Sequence, residues 1–251
     1  LEHGQRIAER MGLEPDVEVF NPVIVDFYQQ VGYLPDAILN YLALLGWSLD
    51  DKTEHFHRQE LVEAFSLDRV NKAPAAFDPQ KHLAFQERHM AEVSLSDKVA
   101  MTLPYLDKAG LVPSPPAGDV EPKLAAICEA AGDRIKVAGD VLDYADFFLP
   151  DEELPYDEKA FTKRLRKPPE AAALLEKFKH ELAAAEPFDA ESLDRLLHEF
   201  VEREGIKMGQ IIHAIRVAVT GKPVGFGLFD ILAILGKERS VRRIDRALGR
   251  V

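Results

Sequence analysis

The residues best suited to chemistry lie near the carboxyl terminus. Arg239, Arg242, Arg243, Arg246 and Arg250 recur at helical spacing, and at about 100° per residue they share one stripe. Ile244, Leu248 and Val251 fall opposite, and the acids Glu238 and Asp245 lie to one side. A guanidinium is a planar fork of donors that matches phosphate oxygens and base edges, so the stripe reads as a polyanion-contact face. A merely solvated cationic face is the competing reading. Upstream, Gly209, Thr220-Gly221, Gly225 and Gly227 break the chain into short helices, and Phe226 and Phe229 flank an apolar turn. Such a turn can offer an aromatic platform and backbone donors to splayed single-stranded bases, or it can simply pack tightly.

Other reactive side chains offer little. Cys128 is the only cysteine, so one chain can build neither a disulfide framework nor a cysteine zinc site, and its helix-like surroundings suit a buried, inert thiol. The eight histidines are scattered. His55 and His57, two apart in a polar turn, are expected at the surface and not on a metal. There is no phosphate-binding glycine loop, no His-Glu-x-x-His and no carboxylate pair at a telling spacing. Neither catalysis, nor a metal, nor a cofactor is expected of these residues alone.

Helix signals dominate the elements that must hold these groups, and no series of alternating strands is visible. Pro35 and Asp36 open a helix with Ile38, Leu39, Leu42 and Leu45 on its apolar face, and Gly46 closes it. Further helices are expected over 58–65, 78–90, 96–106, 122–131, 134–148, 157–165, 170–185, 190–204, 207–220, 226–235 and 238–248. The expected class is all-α. Proline-rich breaks at Leu111 to Gly118, Leu149 to Pro155 and Lys167-Pro168-Pro169 suggest three domains, 1–95, 96–168 and 169–251.

Composition narrows the class. With 47% hydrophobic and 29% charged residues over 251 positions, the chain can bury a substantial core. No run of about 18 apolar residues is present, so a membrane partner is not expected and the cytoplasm is. The start, Leu1-Glu2-His3-Gly4, lacks an initiating Met and reads as the interior of a longer chain. The net charge of −12 disfavours polyanions until its distribution is examined. Residues 206–251 hold nine Lys and Arg against three acids, a balance of +6, which leaves −18 on residues 1–205. One basic end on an acidic chain fits an RNA-binding tail.

Several blocks resemble the bacterial glutamyl-tRNA synthetases, in collinear order over nearly the whole chain. Ile206-Lys207-Met208-Gly209-Gln210, Arg216 to Gly221, Gly227 to Leu232 and Leu235 to Arg239 resemble their anticodon-binding segment. Gly32-Tyr33-Leu34-Pro35-Asp36-Ala37 running into Asn40 to Ser48 resembles the helix after the KMSKS-type loop. Phe65 to Ala73 with Phe77-Asp78 resembles the stem-contact segment, and Lys163-Arg164-Leu165-Arg166-Lys167-Pro168 the joint between two anticodon-binding subdomains. Phe226 stands where many relatives carry Pro, Leu83 to Gln86 lacks a Trp and an Asn common there, and Leu13 to Pro22 reads as an insertion.

The resemblance implies a stem-contact helical domain followed by a two-part helical cage that reads the anticodon loop of tRNA for glutamate. Matched by position, Arg134 falls where an arginine reads the third anticodon base, with Asp133 as a competing salt-bridge partner, and Arg216 and Leu228 fall where the cage meets the other two. With Phe226, Arg239, Arg242, Arg243 and Arg246, these are the expected tRNA contacts. The resemblance further implies a monomer, joined in cis to an amino-terminal catalytic domain that uses ATP and Mg²⁺. Neither an HIGH-like nor a KMSKS-like motif occurs in this chain. A stand-alone helical module that binds another RNA or a protein is the alternative.

Overall fold

The structure is a computed structural model that describes residues 2–13, 21–71 and 75–251. Most of the expected insertion, and Lys72 and Ala73 of the stem-contact block, lie outside the described residues. Among the described residues there is no strand, only one isolated antiparallel bridge between Trp47 and Val70. The all-α expectation holds. The chain divides into two compact units, Leu1–Asp143 and Tyr144–Val251. The expected breaks near 95 and 168 fall inside them. Only Val93 and Ser94 separate the helices on either side of the first, and at the second the Ala171 N–H donates to the Pro168 carbonyl (3.1 Å), so the prolines bend the chain without opening it.

The first unit holds α1 (Glu2–Arg10), α2 (Val25–Val31), α3 (Pro35–Leu44), α4 (Arg58–Ala64), α5 (Pro79–Glu92), α6 (Leu95–Lys108) and α7 (Val120–Ala131). The sequence reading misses α1 and α2. Local chemistry sets the starts of the others. Asp78 accepts from the Gln80 and Lys81 N–H groups at 2.8 and 3.2 Å, with Pro79 in the first turn of α5, and Ser94 accepts from Asp97 N–H at 3.2 Å to begin α6. Each such cap contributes about 1 kcal/mol. Gly32 ends α2 at φ 95°, and a Cβ there would sit 2.8 Å from the Ala138 nitrogen, so the position accepts only glycine without strain.

Helices α3 and α5 pack together, as do α6 and α7. Buried Tyr41 stacks on His82 (4.7 Å, 23°), which also meets Tyr28, Tyr33 and Phe77. Trp47, Phe56 and Leu61 form a smaller core. Leu106, Leu124, Ile127 and Cys128 are buried between α6 and α7, and burial pushes the Cys128 thiol up. That is the inert thiol expected.

A 3₁₀ run, Ala138–Phe147, follows, interrupted at Tyr144 (φ −108°, ψ 20°). It replaces the regular helix expected over 134–148. The Asp140 carboxylate accepts from the Lys136 and Val137 N–H groups (2.9 and 3.0 Å), which tightens the chain into turns.

The second unit holds α8 (Glu158–Phe161), a π-turn over Thr162–Arg166, α9 (Ala171–Ala184), α10 (Ala190–Glu204), α11 (Ile212–Thr220), α12 (Leu228–Leu235) and α13 (Lys237–Leu248). Asp157 and Asp189 cap α8 and α10, each accepting at 2.8 Å. Helix α13 packs on α9 and α11, and α10 packs on α12. Phe178 and Phe200 meet edge to face at 5.3 Å, and Phe161, Leu165, Leu197, Ile215, Leu232 and Ile244 are fully buried. Each such side chain contributes about 1.5–3 kcal/mol relative to exposure. Gly221 ends α11 at φ 73°, where a Cβ would lie 1.9 Å from the Pro155 carbonyl oxygen.

Candidate nucleic-acid interface

The arginine stripe of α13 faces protein, not solvent. Segment 146–154 holds only the end of the 3₁₀ run and a second short 3₁₀ turn, Asp151–Glu153, so several of its carbonyls lack helical partners and must be satisfied some other way. The guanidiniums do this. Arg239 donates to the carbonyls of Phe147 and Leu149, both at 2.7 Å. Arg243 donates to those of Val219 (2.7 Å) and Asp146 (2.6 Å), and Arg246 to those of Leu154 (2.8 Å) and Glu152 (2.7 Å).

Asp151, itself buried, supplies the countercharge. Its carboxylate accepts from Arg243 Nε at 2.8 Å, Arg242 Nε at 3.0 Å and Arg239 Nε at 3.1 Å. Burial pushes this carboxyl up, but the three arginines outweigh it and hold the pKa below the ordinary value. Arg243 is 0% exposed, and burial draws its pKa down while Asp151 opposes the shift. Arg246 and Arg250 cover the Tyr156 ring at 5.0 and 5.1 Å, and Arg250 also pairs with Glu158 at 3.0 Å. The stripe is therefore a clamp on the preceding segment. Arg243 has no surface to offer a phosphate, and the forks of Arg239 and Arg246 are occupied by backbone. Arg242 alone of the four expected contacts on α13 keeps over half its side chain exposed, at 54%.

The aromatic platform is corrected in the same way. Phe226 is buried, stacked on Phe147 (5.6 Å, 12°) and against Tyr144 (5.4 Å), so it packs in the core and offers no face to a base. Leu228 is also buried, at the first turn of α12. Arg216 is half-buried and donates to the Phe226 carbonyl at 2.7 Å, which holds the turn between α11 and α12 in place.

Arg134 behaves differently. It ends a short 3₁₀ turn, Gly132–Arg134, is exposed, and makes one long bond to the Ala131 carbonyl at 3.4 Å. Asp133 forms no ion pair with it among the described residues. Its neighbours Asp133, Ile135 and Lys136 line a cleft of about 330 Å³ that Arg88 and Lys98 also border. A fork left largely unclaimed at the surface can reach a base edge.

A second basic group emerges on the π-turn. Lys163 and Lys167 are exposed and Arg164 is half-buried, with no acidic partner for any of them among the described residues. Their neighbour Arg166 is tied to Glu158 (3.1 Å) and to the Arg250 carbonyl (3.2 Å). The electrostatic effect reaches α11, where burial and then Arg164, Arg216 and Lys163 pull the His213 pKa down. Single π-turns inside helices are uncommon and recur at functional sites. The sequence carries the signal as Lys163-Arg164-Leu165-Arg166-Lys167, which by resemblance reads only as a joint.

Comparison with known proteins bears on what these groups serve. Residues 97–248 match the family profile described as an anticodon binding domain, and residues 20–84 match the one described as the catalytic domain of class I tRNA synthetases (E and Q). These define the class: a stretch of a class I synthetase in which residues matching the catalytic-domain profile precede a helical anticodon-binding domain. Within it, the chain belongs to the glutamyl-tRNA synthetase family, as its motifs suggested. It is similar to the glutamate–tRNA ligases of Herpetosiphon aurantiacus (39% identity, 88% of this chain, 44% of the relative) and Moorella thermoacetica (37%, 89% and 45%). A crystal structure of a glutamate tRNA ligase from Elizabethkingia meningosepticum, in complex with its amino acid, superposes with a TM-score of 0.77 at 27% identity. That match covers 88% of this chain and 42% of that one. The chain thus spans under half the length of these relatives. No helix among the described residues is long and apolar enough to cross a membrane.

Proposed function

We propose that this chain is the tRNA-gripping, anticodon-reading part of a glutamate–tRNA ligase. The observation that carries the reading is the exposed, nearly unclaimed guanidinium of Arg134 within the matched anticodon-binding region. Arg134 supplies base-edge hydrogen bonds, and the π-turn cations Lys163, Arg164 and Lys167 supply sequence-independent phosphate contact. Arg242 adds a lesser contribution. Arg216, Leu228 and Phe226 act indirectly, by fixing the backbone of the turn they share. Attachment of glutamate, with ATP and Mg²⁺, belongs in this proposal to a catalytic domain joined in cis. Action in the cytoplasm, as a monomer on one tRNA, belongs to it as well.

Fluorescence titration with tRNA for glutamate and with an unrelated tRNA, at several salt concentrations, tests the proposal. The glutamate tRNA should bind more tightly. Arg134→Gln should relax preference at one anticodon base while leaving the unfolding midpoint unchanged. Equal binding of both tRNAs at every salt concentration would overturn anticodon reading and leave a helical module for another RNA or a protein.

A further inference from the structure

We propose that His55, His57, His89 and Glu92 form a structural site for one divalent transition-metal ion of the zinc class. The four residues come from two stretches whose geometry brings them together. His55 and His57 lie two apart in extended chain ahead of α4, so both point to one side. His89 and Glu92 lie three apart at the end of α5 and share a helix face. The expectation that His55 and His57 are mere surface residues fails for His55, whose side chain is only 12% exposed.

One donor atom from each of the four lies within 4.8 Å of all the others. His55 Nε2 is 3.0 Å and His57 Nε2 is 3.5 Å from the Glu92 carboxylate. The His55 ring centroid is 4.5 Å from that of His89 and 5.4 Å from that of His57. Three imidazoles and one carboxylate make the N/O donor set that zinc takes in tetrahedral sites, and a complete set of four protein ligands marks a structural role.

One feature favours a cation over a simple hydrogen-bonded cluster: the outer shell is built. Asn40, fully buried, accepts from the Phe56 N–H (3.0 Å) and donates to the Glu54 carbonyl (2.9 Å), which fixes which end of its amide is oxygen. That oxygen lies 3.2 Å from His89 Nε2, so Nε2 must carry the proton and Nδ1 keeps its lone pair. A cleft of about 250 Å³ bordered by Asp36, His57, His89 and Glu92 gives access from solvent.

Tag-free protein titrated with Zn²⁺ against a chromogenic chelator should take up one ion per chain, and its unfolding midpoint should rise. Co²⁺ should give the intense visible bands of a four-coordinate site. His57→Gln and Glu92→Gln, both at exposed side chains (56% and 44%), should keep the helical spectrum. Each should lose more affinity than the roughly 10- to 100-fold typical of an outer-shell change. His180→Gln, at an unrelated histidine, should bind as the parent does. No uptake, uptake unchanged in His57→Gln and Glu92→Gln, or a Co²⁺ spectrum of six-coordinate type would overturn the site.

Discussion

Replacing Asp151 with Asn separates a clamp from an RNA-binding face. The change is nearly isosteric and leaves one acceptor oxygen, but it removes the charge that three guanidiniums share at 2.8–3.1 Å. Arg243, 0% exposed, is left as an uncompensated buried cation, a loss of about 3–5 kcal/mol. For a unit of roughly a hundred residues, each kcal/mol moves the midpoint by about 4 °C, so unfolding should fall by roughly 12–20 °C. The assay is thermal unfolding followed by circular dichroism and calorimetry, without RNA. Arg242→Ala, at a half-exposed partner, serves as the control and should cost no more than about 1 kcal/mol. Acid should reproduce the effect. A carboxyl held below its ordinary pKa contributes fully above the unfolded value of about 3.9 and loses that contribution as the pH falls through the lower folded value. Asp151→Asn should flatten this acid limb. An Asp151→Asn protein within about 1 kcal/mol of the parent, or less affected than the Arg242→Ala control, would refute the clamp.

Three further outcomes follow from the same reasoning. Lys163→Ala and Arg164→Ala should each weaken RNA binding across sequences and reduce the slope of log affinity against log salt by about 1, without changing base preference; salt titrations measure this. Phe226→Ala should cost about 3–5 kcal/mol in unfolding experiments without RNA, because the ring fills a core site against Phe147 and Tyr144. His82, buried and depressed to about 4 by burial, is neutral when folded. Its contribution is complete above the unfolded pKa near 6.5 and is lost on acidification toward the folded value, about 2 kcal/mol by pH 5. Denaturant titrations at pH 7 and 5 should show the loss, and His82→Phe should remove it.

The elements are largely readable because their signals are local. Pro35-Asp36, Gly46 and Gly221 mark starts and stops that depend on a few neighbours, and the structure keeps them within a residue or two. Other features depend on partners far along the chain. The helical spacing of the arginines gives a true stripe but not the side it faces. A guanidinium is normally solvated, and only the stranded carbonyls of 146–154 make burial favourable. Those carbonyls arise from short 3₁₀ turns with no periodic signature. Phe226 reads as a platform for the same reason, since its partners Tyr144 and Phe147 lie some eighty residues upstream. The histidine cluster joins a two-residue spacing in extended chain to a three-residue spacing on a helix. Neither pair is informative until α5 packs on α3 and its end meets the chain ahead of α4. Arg134 is the reverse case: motif matching singles it out, and the structure places it exposed at the surface.

The order in which the clamp is made has a consequence for biosynthesis. Asp151 leaves the ribosome about ninety residues before Arg243 does. At about 5–20 residues per second, the carbonyls around it wait on the order of 5–20 s for their donors. The second unit cannot settle into its final packing until α13 emerges. A product terminated short of that helix presents an unsatisfied acidic segment and a bare α9–α11 surface, both ready substrates for chaperones and proteases. Until the arginines of α13 arrive, the carbonyls around Asp151 lack the donors they have in the folded second unit.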